Sequence, residues 1–125
     1  MSQAVQKIPG PDHPITVEPN PARVVVKFGD TVVADTTRAQ VLRESSYPAV
    51  QYIPREDVDL TAFARTDHHT YCPYKGNASY YSFTPAGIEG ANVVWTYEEP
   101  YDAVAPIKDH LAFYADRVSI EEVAA

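Results

Sequence analysis

Apolar and polar residues alternate along this chain in short runs, and each run ends at a proline, a glycine or an acidic turn. Strict alternation puts successive side chains on opposite faces of an extended backbone, so the pattern predicts strands rather than helices. Ile15-Thr16-Val17 is closed by Pro19 and Pro21 and reads as a short edge strand. Arg23-Val24-Val25-Val26-Lys27-Phe28 and Thr31-Val32-Val33-Ala34-Asp35 flank Gly29-Asp30, a hairpin whose leading glycine suits a type II′ turn. Thr36 or Thr37 is placed to cap a brief helical turn over Arg38 to Arg43, where Ala39, Val41 and Leu42 approach helical spacing. Further strands are expected at Val50 to Ile53, around Phe63, from Thr70 to Tyr74, from Ser79 to Thr84, from Asn92 to Tyr97 and from His110 to Tyr114. A proline-interrupted loop with a helical turn near Ala103 to Lys108 precedes the last. About eight short strands at roughly ten-residue spacing predict one compact, mainly β domain over residues 15–119. Residues 1–14 are expected to form a flexible lead-in and residues 120–125 an acidic tail.

Composition supports the strands. The chain has 15 Val and 6 Ile against 3 Leu, together with 9 Tyr, and β-branched and aromatic residues fit a pleated, half-buried surface. At 125 residues and 45% hydrophobic content it has material for one core. Ten basic against 17 acidic residues give a net charge of −7, a field that repels phosphate backbones and anionic lipid and so disfavours nucleic-acid and membrane partners. No stretch approaches the roughly 20 apolar residues needed to span a bilayer, and the N-terminal residues lack a secretory pattern. The single cysteine, Cys72, forbids an internal disulfide and suits the reducing cytoplasm.

The densest chemistry lies in Asp67-His68-His69-Thr70-Tyr71-Cys72-Pro73-Tyr74-Lys75-Gly76-Asn77. A structural zinc site usually needs four Cys or His ligands, and adjacent histidines on a strand face opposite ways. A metal held by His69, Cys72 and His110 is therefore the weaker reading, and no metal or cofactor is expected. Cys72-Pro73-Tyr74-Lys75 resembles a thiol redox tetrad with its second cysteine replaced, but Gly76-Asn77 interrupts the helix that would stabilise a thiolate. A lysine three residues from Cys72 still makes the thiol a candidate nucleophile, against the plainer reading of a small core residue. No nucleophile elbow, Walker-type loop or dinucleotide fingerprint is present.

Taken in order, several segments resemble the family called domain of unknown function 427. They are Arg23-Val24-Val25-Val26, Gly29 with Val33-Ala34-Asp35, Tyr52-Ile53-Pro54-Arg55-Glu56-Asp57-Val58, Cys72-Pro73-Tyr74-Lys75-Gly76-Asn77-Ala78-Ser79-Tyr80-Tyr81, Val94-Trp95-Thr96-Tyr97 and Phe113-Tyr114. The resemblance spans about Pro21 to Ser119. It implies a fold like the β-tent, two antiparallel sheets meeting at an angle with a cleft between them. The paired cysteines of zinc-binding proteins with that fold are absent here. The family has also carried a nucleotidyltransferase label, whereas such transferases hold magnesium with closely spaced carboxylates beside a Gly-Ser loop that this sequence lacks. The family's recurrent positions correspond to Tyr52, Arg55, Glu56, Asp57, Tyr71, Cys72, Lys75, Trp95, Tyr97 and Tyr114.

Three functions follow as expectations. The first is a cleft for a small anionic or aromatic metabolite lined by Tyr52, Arg55, Tyr71, Lys75, Trp95 and Tyr97, because aromatic walls with a few charges are how such pockets are built. The second is an enzyme of unstated reaction using Cys72, Lys75 or Glu56. The third is an interaction module that pairs through a sheet edge, the chain otherwise being a monomer or weak homodimer.

Overall fold

In the computed structural model, which describes residues 5–123, ten strands form two antiparallel sheets, neither closed into a barrel. The strands are β1 (Ile15–Asn20), β2 (Arg23–Phe28), β3 (Thr31–Thr36), β4 (Ala39–Glu44), β5 (Val50–Pro54), β6 (Phe63–Cys72), β7 (Gly76–Phe83), β8 (Val94–Thr96), β9 (His110–Phe113) and β10 (Ser119–Val123). Seven of them run in the order β1-β4-β5-β9-β8-β7-β6, and three in the order β10-β2-β3. The β2–β3 hairpin forms as its sequence predicts. Gly29 has φ of 61° while Asp30 keeps a negative φ, so the positive angle falls where a type II′ turn needs it.

The small sheet lies against one face of the large one. Val24, Val26, Val33 and Ala34 pack with Ile53, Tyr81, Phe83, Val94, Leu111 and Phe113 into a core that includes both sheets. Ile53, Val24 and Leu111 are wholly buried. At about 25 cal/mol for each Å2 of apolar surface removed from water, this contact is what holds the two sheets together. The opposite face of the large sheet carries a second cluster of Leu42, Tyr52, Ala78, Tyr80, Tyr97 and Ala112, capped by Val104 and Ile107 from the 3-10 turn Asp102–Ile107.

Four segments differ from the reading of the sequence. Arg38 to Arg43 does not form a helical turn. Thr36 Oγ1 accepts a cap-like hydrogen bond from Arg38 N at 2.9 Å, but β4 follows at once and pairs with β1 on one side and β5 on the other. Two ladders satisfy more backbone groups than six residues of isolated helix can, and Val41 and Leu42 are buried. The strand around Phe63 and the extended stretch at Thr70 are one ten-residue strand, interrupted by a register shift between Arg65 and His69. The expected acidic tail is largely β10, which pairs Ser119 with Lys27 through Val123 with Arg23 and covers the edge of β2; residues 124–125 lie outside the described residues. Of the lead-in, residues 1–4 lie outside them, whereas Lys7 N donates to Pro73 O at 2.8 Å and Gly10 pairs with His13.

Candidate functional site

Alternation along the strands decides which side chains meet on the second face. Tyr80 on β7 stands beside Trp95 on β8, and Trp95 beside Ala112 on β9. The next strand in the sheet, β5, brings Tyr52 to the same face. Ala112 is too small to separate its neighbours, so Trp95 Nε1 donates to Tyr52 Oη at 3.2 Å, with the two rings edge to face and 6.4 Å between centroids. Tyr114 leans on the other side of Trp95, centroids 4.6 Å apart. With Tyr47, Leu42, Val50 and Tyr97 these rings line a cavity of about 190 Å3, and Glu44 and Lys75 supply its charged wall. Five of the nine tyrosines and the single tryptophan thus converge here.

Lys75 enters from the β6–β7 hairpin. Cys72-Pro73-Tyr74-Lys75 makes a tight turn in which Lys75 N bonds Cys72 O at 3.2 Å, and Tyr101 N clamps Lys75 O at 3.0 Å. Gly76 has φ of 110°, and a Cβ there would sit 3.4 Å from Glu99 O. Only glycine takes that conformation without strain, so the turn that aims Lys75 depends on it. Lys75 Nζ lies 2.5 Å from Glu44 Oε1, and His13 Nε2 lies 2.7 Å from Glu44 Oε2. The His13 ring is stacked 4.1 Å from that of Tyr74 at an interplanar angle of 9°. Both side chains of the Lys75 pair are mostly buried, at 12% and 13% exposure. Burial alone would raise the Glu44 carboxyl pKa, but the hydrogen bonds from Lys75 and His13 outweigh it and hold the group below the ordinary carboxylate range.

The tyrosines are held as neutral phenols. Burial pushes the Tyr52 and Tyr97 hydroxyls far above the usual tyrosine range. Tyr114 is raised to about 12, first by burial and then by its hydrogen bond with Tyr80. Thr70, Tyr80 and Tyr114 form a hydroxyl chain with steps of 2.9 and 3.4 Å. Tyr52 Oη already accepts from Trp95, and among the described residues its own proton meets no acceptor. Tyr97 is 5% exposed and lines the cavity, and its hydroxyl, which has no hydrogen-bond partner among the described residues, is not sealed from solvent.

Of the residues singled out in the sequence, the structure brings Tyr52, Lys75, Trp95 and Tyr97 around this cavity, with Tyr114 from the family positions. It does not bring Arg55, Glu56, Tyr71 or Cys72 there. Arg55 lies on the other face, where Nη2 donates to Tyr81 Oη at 2.9 Å and the guanidinium is 5.6 Å from the Tyr81 ring centroid. Glu56 is exposed and pairs with Arg38 at 3.2 Å, while Asp57 accepts from Thr36 Oγ1 at 2.6 Å. Tyr71 ties down the N-terminal segment, donating to Val5 O at 3.0 Å and meeting Tyr101 Oη at 2.8 Å. Cys72 is half-buried against the tyrosine cluster without lining the cavity. No group of three or more His, Cys, Asp or Glu side chains that could hold a metal occurs among the described residues. Glu44 and His13 were not visible as site residues in the sequence, because each lies 31 residues from its partner.

No helix among the described residues is long and apolar enough to cross a membrane. Comparison with curated proteins finds no match. The family model described as Domain of unknown function (DUF427) matches residues 16–124. With nearly the whole chain inside that match, including every wall of the aromatic cavity, the protein belongs to the DUF427 family.

Proposed function

We propose that this chain is a binding domain for a small, neutral, single-ring aromatic molecule that carries a hydrogen-bond acceptor. The observation that carries the reading is Tyr97, 95% buried and part of the aromatic cavity wall, whose hydroxyl has no partner among the described residues. Among the described residues neither this hydroxyl proton nor that of Tyr52 on the same wall has an acceptor, so both are free to donate to a ligand. A carbonyl or ring nitrogen held between these phenols would satisfy both. Size agrees, since an engineered cavity of about 150 Å3 accommodates benzene and this one measures about 190 Å3. Between the aromatic and anionic ligands that the sequence leaves open, the Glu44–Lys75 pair favours the neutral ring. The ammonium is already neutralised at 2.5 Å, so an incoming anion would have to displace a buried carboxylate.

Trp95 is the only tryptophan in the chain and stands in the cavity wall, so its fluorescence reports occupancy directly. Titration with benzamide, nicotinamide and phenol is expected to give a saturable change that is strongest for the amides. Tyr97→Phe is expected to weaken the amides about ten-fold or more while leaving the fold intact. The reading fails if no ring compound gives a saturable signal, or if wild type and Tyr97→Phe respond alike.

A further inference from the structure

The cavity does not end at Trp95. On the far side of the Trp95–Tyr114 pair lies a second hollow of about 380 Å3, lined by Ala49, Gln51, Phe113, Ala115, Ile120 and Glu122. The two compartments share Pro48, Val50, Trp95 and Tyr114 as common walls. Their chemistry differs. The first is ringed by phenols and an ion pair, whereas the second is mainly aliphatic and aromatic carbon and runs between the large sheet and β10. Its polar residues are already occupied with one another. Gln51 Nε2 donates to Glu122 Oε1 at 3.0 Å, and Asn20 Nδ2 bonds both Gln51 at 3.2 Å and Glu122 at 2.9 Å. That knot ties up the Gln51 amide and one oxygen of the Glu122 carboxylate.

We infer that the ligand is amphiphilic, with its acceptor-bearing ring in the tyrosine cavity and an unbranched apolar substituent laid past Trp95 into the hollow beside β10. The inference rests on the ring-binding reading above and extends it to a ligand class, the alkyl-substituted aromatic carbonyl compounds. The shared walls argue for one ligand across both compartments rather than two. Trp95, half-buried, and Tyr114, 40% exposed and packed on it, each line both compartments. An apolar chain is the matching occupant because burying each methylene is favourable without any polar partner.

Benzamide and its meta- and para-ethyl, butyl and hexyl derivatives test the inference through Trp95 fluorescence. Each methylene added is expected to tighten binding about two- to four-fold until the hollow is filled. Ala115→Phe, a substitution at an exposed position in the hollow's wall, is expected to flatten that series while leaving benzamide itself unchanged. Benzamide binding with a flat alkyl series, or a series untouched by Ala115→Phe, overturns the tail assignment and leaves the ring reading standing. Loss of all saturable binding, benzamide included, overturns both. A concentration-dependent dimer in sedimentation that Ala115→Phe disrupts assigns the hollow to a second copy of the chain and likewise overturns the tail.

Discussion

The two faces of the seven-stranded sheet are built from the same strands and differ in what they ask of their side chains. Ile53, Phe83, Val94 and Phe113, turned toward the small sheet, are carbon only and need nothing beyond close packing. Residues turned the other way at neighbouring positions, Tyr52, Tyr80, Trp95 and Tyr97, each carry a polar atom that must find a partner. The first face closed against a second sheet. The second is capped at one end by Val104 and Ile107 and remains open where the hydroxyls, Glu44 and Lys75 gather. A strand buried on both sides can thus present carbon-only side chains on one face and polar-tipped aromatic ones on the other, because successive residues never share a face.

Substitutions should separate the faces by size of effect. The largest belongs to the closed face. Ile53→Ala removes a wholly buried side chain, and we expect a loss of about 2–5 kcal/mol in denaturant unfolding, with ring binding retained in the folded fraction. Comparable destabilisation by Tyr97→Phe would erase the distinction. Next comes Lys75→Met, which leaves Glu44 with His13 as its remaining partner; about 1–3 kcal/mol should be lost. Gly76→Ala should reproduce part of that loss by turning the hairpin away, and a Gly76→Ala protein as stable as wild type would refute the role given to the turn.

Acid titration sharpens the comparison further. The Glu44 carboxyl lies below its ordinary value of 4.5 in the folded chain. A depressed carboxylate contributes stability that is complete above its unfolded value and is lost as pH falls through the folded one. Stability should therefore decline below pH 4.5, and Glu44→Gln should make that decline shallower. It should not abolish it, since Arg65 also lowers Glu98 on the other face. An unchanged slope in Glu44→Gln would show that the cleft carboxylate is not held by Lys75 and His13. The smallest effect on stability is expected from Tyr97→Phe, within about 1 kcal/mol of wild type, because its hydroxyl has no partner to lose among the described residues.

Much of this could be read from the chain because it is local. The β2–β3 hairpin needed only two valine-rich runs and Gly29, and Trp95 and Tyr97 had to share a face because they are two residues apart. Lys75 stood out by its tyrosine neighbours, and it does reach the cavity. Arg55, three positions after Tyr52, falls on the opposite face, as alternation along an extended chain already requires. The strand ends at Pro54, and the 3-10 turn that follows keeps Arg55 on that face, against Tyr81. Over Arg38 to Arg43 a cap-forming threonine and three apolar residues fit one turn of helix as well as a strand. Only the strands on either side of β4 decide otherwise.

The alternation written into the sequence determined which residues lie back to back, and with them the mainly β architecture and the aromatic character of one face. The tertiary structure decided what those residues meet. Glu44 joins Lys75 and His13 across 31 residues in each direction, and β10 covers β2 from the far end of the chain. No local pattern encodes such meetings, because they depend on how ten strands are ordered in two sheets. Burial then fixes their consequences, holding the Tyr52, Tyr97 and Tyr114 phenols neutral and keeping the Lys75–Glu44 pair largely out of water.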